Sequence, residues 1–166
     1  SESGSYLDLE LSPDQQYLAV TRVDDQLATG DVWTVDLARS VWTKLTTDRG
    51  NDASALWSPD GRDIAFRSNR AGNSDIFRKR SNGSAAETRF FGLDLNNLVA
   101  SDWSADGRHV VFTNVSAAAG FNIWSWPTSG AAQASLVVQR PLNAMHGRLS
   151  PDGRWLAYAS DESGSL

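Results

Sequence analysis

Four stretches of this chain carry nearly the same wording: LSPDQQYLAVTR from Leu11, WSPDGRDIAFRS from Trp57, WSADGRHVVFTN from Trp103 and LSPDGRWLAYAS from Leu149. Their turn serines, Ser12, Ser58, Ser104 and Ser150, fall 46 residues apart each time, with no drift. A fixed period of this size marks a chain of stacked supersecondary units, each burying its apolar surface against its neighbours. Any fold for these 166 residues must therefore place one local structure four times.

Between Ser58 and Ser104 one period reads as four short strands: ASALW over 53–57, DIAFRS over 63–68, DIFRKR over 75–80 and ETRFF over 87–91. β-branched and aromatic residues fill these runs, and Gly, Pro, Asn, Asp and Ser fill the gaps. The first unit repeats the scheme with YLAVTR, DVWTVDL and VWTKLTT, and the third with HVVFTN, NIWSWP and ASLVVQ. Helical periodicity is absent.

The second strand of each unit holds an unbroken apolar triplet: Leu18-Ala19-Val20, Ile64-Ala65-Phe66, Val110-Val111-Phe112 and Leu156-Ala157-Tyr158. Neighbouring strand residues point to opposite faces, so such a triplet implies cover on both sides of the sheet. A small middle residue lets the next layer approach closely. Stacked small sheets satisfy both conditions better than a two-sheet sandwich. The expected fold class is all-β: a β-propeller fragment of four-stranded antiparallel blades, about three and a half in number. Blades are expected at about 6–46, 53–91 and 99–138, with a half blade at about 145–160. A ring left open exposes strand edges. The chain is therefore expected to be a piece of a longer polypeptide, completed by its missing parts, or to self-associate through open blade edges.

The turn itself has a structural reading. Proline presets φ near −65°, aspartate bonds nearby backbone, and glycine accepts a positive φ. Asp14, Asp60, Asp106 and Asp152 are accordingly read as structural turn residues, not as a metal ring. Gln15 replaces the glycine in unit one, and Ala105 replaces the proline in unit three.

Chemistry is sparse. There is no cysteine, and the two histidines, His109 and His146, lie too far apart in sequence to suggest a zinc site. No Gly-x-Ser-x-Gly elbow and no kinase glycine-rich loop or HRD loop occurs. No catalytic residue, metal site or cofactor is therefore expected within these residues. A net charge of −5 argues against a nucleic-acid partner, and no apolar run is long enough to span a bilayer, so no direct membrane contact is expected. Of seven tryptophans, Trp57, Trp103, Trp33 and Trp124 recur at equivalent positions and suit packing between blades, whereas Trp42 and Trp126 are candidates for exposure. Arg78-Lys79-Arg80 on one strand reads as a solvated edge.

The [LW]SPDGR stretch, the downstream Asp31-Val32-Trp33, Asp75-Ile76-Phe77 and Asn122-Ile123-Trp124, and the closing LT-like strand resemble the WD-repeat-like blades of the TolB-type propeller family. The wording is most similar to the C-terminal propellers of bacterial eukaryote-type serine/threonine kinases. That resemblance implies a non-catalytic binding or scaffold module of a larger bacterial protein, such as a kinase sensor or docking domain. It implies an extracytoplasmic site for a membrane-kinase sensor and a cytoplasmic one otherwise. Related propellers gate prolyl-oligopeptidase-type serine peptidases or serve TolB-like translocation, and these remain alternatives.

Function on such scaffolds concentrates in loops. The connections TTDRGNDAS, GLDLNNLVAS and QRPLNAMHG should meet the loop that follows each second strand. Candidate ligand-face residues are Arg49, Asn51, Asp52, Arg70, Asn73, Asn96, Asn97, Arg140, Asn143 and His146, facing a protein, a peptide or a small ligand.

Overall fold

The computed structural model describes residues 4–24, 26–93, 97–116, 120–130, 133–139 and 143–164. Every regular element among them is a strand, and the chain divides into two compact units, Ser1–Gly92 and Leu93–Leu166. The all-β class expected from the repeat is the class found.

In the first unit, β1 (Ser5–Leu11), β2 (Tyr17–Asp24), β3 (Thr29–Asp36) and β4 (Val41–Lys44) form one antiparallel sheet in sequence order. A second such sheet holds β5 (Asp52–Trp57), β6 (Asp63–Ala71), β7 (Asn73–Arg80) and β8 (Thr88–Phe91). The two sheets are stacked blades. Ala19, Val32 and Leu45 of the first form a core cluster with Trp57, Ile64, Phe66 and Phe77 of the second. Ala19 is fully buried, which is how its methyl group admits the aromatic side chains opposite.

Lys79 corrects one sequence expectation. It does not lie on a solvated edge: its side chain is only 13% exposed, its Nζ donates to the Leu45 carbonyl at 2.6 Å, and it pairs with Glu87. Strand alternation sends it inward while Arg78 stacks over Phe90 and Arg80 pairs with Asp63.

The second unit holds the sheet β9 (Leu98–Trp103), β10 (His109–Ser116), β11 (Gly120–Pro127) and β12 (Ser135–Val138), and the hairpin β13 (Ala144–Leu149) with β14 (Leu156–Ser160). Val111, Ile123 and Ala144 are buried here, with Val138, Leu149, Leu156 and Tyr158 packed around them. The apolar triplet behaves differently in β14. Leu156 and Tyr158 are half-buried while Ala157 and Ala159 are exposed, so only one face of this hairpin is covered among the described residues. The first strand of each blade also carries a register shift: Tyr6/Leu9 in β1, Ala53/Leu56 in β5, Ala100/Asp102 in β9 and Met145/Arg148 in β13. Such bulges bend the strand and re-aim its side chains.

Candidate functional site

The repeated turn is built four times from the same bonds. Ser12, Ser58, Ser104 and Ser150 donate Oγ–H to the Oδ1 of Asp14, Asp60, Asp106 and Asp152 at 2.6, 2.6, 2.7 and 2.5 Å. Each aspartate also accepts the amide two residues on, from Gln16, Arg62, Arg108 and Arg154. Each serine Oγ accepts the amide that opens the next strand residue, from Tyr17, Asp63, His109 and Trp155. The serine hydroxyl first, and the amide second, hold all four carboxyl groups below the usual carboxylate range. Carboxylates stabilised this way support the fold at neutral pH and lose that effect as pH falls through their folded-state pKa. Gln15 reaches φ 59° where Gly61, Gly107 and Gly153 reach 69°, 74° and 69°.

At the opposite strand ends, asparagines join blade to blade. Asn51 Oδ1 accepts the Gly30 amide from the preceding blade at 2.7 Å, while its own amide donates to Asn69 Oδ1 at the end of β6. Gly30 has to be small, because a Cβ there would lie 2.8 Å from the Asp52 carbonyl oxygen. In the second unit Asn143 Oδ1 accepts the Phe121 amide at 3.0 Å, and its amide donates to Asp161 Oδ1 at 2.8 Å. Asn51, Asn97 and Asn143 share the 46-residue spacing. Asn97 adopts φ 53°, and its carbonyl accepts the Val115 amide, as the Asn143 carbonyl accepts that of Asp161. These connections are therefore clamped by the very residues read from sequence as facing a ligand. The spacing was the signal that could have identified the clamp.

Asp52 and Arg70 belong to a charged cluster between the two blades of the first unit. The Arg70 guanidinium pairs with Asp48 and Glu87 and contacts both Asp52 carboxylate oxygens at 3.1 Å. Its Nε donates to Ser68 Oγ at 2.8 Å, and its carbon lies 4.4 Å from the Phe77 ring centroid. Asp52 is fully buried, and burial pushes its carboxyl above the ordinary value despite Ser68 and Arg70 pulling it down. Arg49, on the connection before β5, and Asn73, the first residue of β7, by contrast present exposed side chains. His146 is also exposed. It sits inside β13 at the bulge, with φ 56°, and not in a loop before the strand. Ser54, at the equivalent bulge of β5, takes φ 57°. Asn96 and Arg140 lie outside the described residues. Among the described residues no group of three or more acidic, histidine or cysteine side chains is arranged to hold a metal ion.

The tryptophans divide largely as the repeat suggests. Trp57 is buried, Trp33, Trp103 and Trp124 are half-buried, and Trp42 is 43% exposed. Trp126 is half-buried and not exposed, because it lies inside β11 opposite Val110. Trp155, the first residue after the last turn, is the most exposed at 70%.

Stacked four-stranded antiparallel sheets with short connections at both strand ends define a β-propeller protein. The model of the TolB beta propeller domain family, PD40, matches residues 3–166, and the chain belongs to that family. An uncharacterized protein of Agrobacterium fabrum is 33% identical over 110 residues, covering 64% of this chain and 35% of that relative. Among solved structures, a TolB candidate from Agrobacterium tumefaciens superposes with a TM-score of 0.72 at 25% identity, over 92% of this chain and 59% of that one. TolB from Acinetobacter baumannii gives 0.71 at 18% identity, over 95% and 43%. A prolyl endopeptidase structure gives 0.70 at 15% identity, over 98% of this chain and 26% of that one, a likeness of fold alone. The chain thus spans less than two thirds of the length of each of these proteins.

Proposed function

We propose that this chain is a non-catalytic binding module of the TolB-like propeller type, displaying exposed polar residues beside the blade connections to a protein or peptide partner. The observation that carries this reading is the clamp. Asn51 and Asn143 tie the connections that open the second blade and the last hairpin both to the preceding blade and to the end of the second strand that follows. Exposed polar groups beside these ties, Arg49 and Asn73 in the first unit and His146 in the second, stand on backbone already ordered. A partner that binds there loses little loop entropy. Asn51, Asp52, Arg70 and Asn143 serve as scaffold beneath them.

The similarity in wording to kinase C-terminal propellers supports placement as the sensor or docking domain of a bacterial serine/threonine kinase. The reading frame around the chain decides that placement, since a kinase signature set or a nucleophile elbow would lie beside it. The binding reading is tested with a photo-crosslinking residue at Asn73. Crosslinks to one partner protein, abolished by Arg49→Ala, are the expected result. Equal crosslinking from a probe at Arg62, beside the opposite turns, would overturn it.

A further inference from the structure

The junction between the first two blades buries charge where the repeat elsewhere buries hydrocarbon. Asp52 is fully buried, and its counterparts one and two periods on, Leu98 and Ala144, are buried apolar residues. Its charged partners are equally confined to this junction, since Ser116 and Ser125 stand one period on from Arg70 and Lys79. Hydrocarbon therefore satisfies this strand position elsewhere in the same chain, and a buried carboxylate is costly. Replacing a buried ionic cluster by hydrocarbon is often neutral or stabilising, so its presence points to a role other than stability.

Charge is unevenly shared within the cluster. Three carboxylates, Asp48, Asp52 and Glu87, face two cations, Arg70 and Lys79. Arg70 makes its closest contacts with Asp48 and Glu87, whereas both Asp52 oxygens reach one guanidinium nitrogen at 3.1 Å. Asp48 and Glu87 also keep some contact with solvent, and Asp52 keeps none. Hydroxyl groups complete its surroundings: Ser68, opposite it on β6, and Thr46 from the blade before, whose Oγ also accepts the Val32 amide. The other charges on the packed strands are engaged elsewhere. Asp75 of β7 pairs with Arg89, and Asp31 of β3 with Lys44. Asp8 of β1 accepts from the Thr21 hydroxyl and the Ser54 amide, and Arg22 of β2 lies over Trp33. Strand alternation turns Arg67 of β6 to the face opposite Ser68.

We propose that Asp52 is a proton-operated latch on this junction: uptake of one proton balances the cluster and locks the connection 45–51 onto blade two. With Asp52 neutral, Asp48 and Glu87 match Arg70 and Lys79. Burial pushes the Asp52 carboxyl above its ordinary value, against the pull of Ser68 and Arg70. With its folded-state pKa above the unfolded one, Asp52 contributes stability fully below the unfolded value and loses it as pH rises through the folded value. Acidification from neutral therefore tightens the junction, whereas the turn aspartates, shifted the other way, loosen only at lower pH. The connection so held carries Arg49 and the bonded amides of Gly50 and Asn51. This goes beyond the binding-module reading and does not depend on it.

Carbon-13 NMR titration of the Asp52 carboxyl group in the purified chain tests the proposal, with the urea-unfolded chain as reference. The folded midpoint should lie above the unfolded one. Amide hydrogen exchange then reads the latch. Protection at Gly50 and Asn51, corrected for the intrinsic pH dependence of exchange, should rise several-fold as pH falls through that midpoint. Asp52→Asn keeps the shape but removes the titrating group, and should make this protection independent of pH over the same range. Amides of β10 and β11, in the second unit, should show no such step. A folded midpoint at or below the unfolded one overturns the proposal. So does a raised midpoint without a change in protection, a step that persists in Asp52→Asn, or a step of equal size in β10 and β11. The titration uses the parent chain, so it decides even where the variant folds poorly.

Discussion

Trp57 and Leu149 hold the same position of the repeat in two different junctions. Trp57 is 7% exposed, lies among Leu45, Ile64, Phe66 and Phe77, and donates its indole N–H to the Glu10 carbonyl at 3.0 Å. Leu149 is half-buried in a cluster with Val111, Ile123, Leu156 and Tyr158, and the cleft beside it measures 440 Å³ against 260 Å³ beside Trp57. The backbone scheme is common to both. An aspartate on the first strand of one blade accepts an amide from the first strand of the next: Asp8 from Ser54 at 3.0 Å, and Asp102 from Leu149 at 2.5 Å. The polar frame repeats while the filling changes. Aromatic bulk and the Arg70 cluster fill the first junction, whereas in the second a two-stranded hairpin packs Leu149, Leu156 and Tyr158 on Val111, Ile123 and Val138.

Substitution at matched positions can break this contrast. Trp57→Ala should lower the unfolding free energy by about 3–5 kcal/mol, whereas Leu149→Ala should cost about 1–2 kcal/mol, less than a fully buried leucine. Equal losses in urea titrations would mean that the two junctions are energetically alike. Next in size, Ala19→Leu should cost about 1–3 kcal/mol by overpacking between blades. Ala157→Leu, at the equivalent but exposed position, should stay within about 0.5 kcal/mol of the parent. The smallest pair concerns the turns. Gln15→Gly should raise stability by up to about 1 kcal/mol by relieving a left-handed side chain, and Gly153→Gln should lower it by a similar amount. Identical midpoints would show that this turn position is indifferent to its side chain.

The fold was legible because its signals are local and repeated. Strand runs, turn chemistry and the small residue at Ala19 each appear within a dozen residues, and the period multiplies them. The site was less legible because its decisive bonds join residues distant in the chain. Asn51 reads as a loop polar group until Gly30, from the blade before, is seen donating to it. Arg70 reads as a loop cation until Asp48, Asp52 and Glu87 are seen around it. Lys79 was misjudged for the same reason: its nearest acceptor, the Leu45 carbonyl, lies 34 residues upstream on the facing sheet. Exposure at Ala157 has a different origin. A triplet records which faces are apolar, not whether a neighbour is there to meet them.

The serine–aspartate bonds of each turn are local, all closing within five residues of the serine that begins it, and only backbone carbonyls of the turn reach out, to Leu37, Ser81 and Thr128 on the neighbouring hairpin. A corner whose side-chain frame is local keeps its shape wherever the segment is copied. Tandem duplication could thus lengthen such a chain with each new hairpin already bent to fit, leaving selection to adjust only the side chains between sheets.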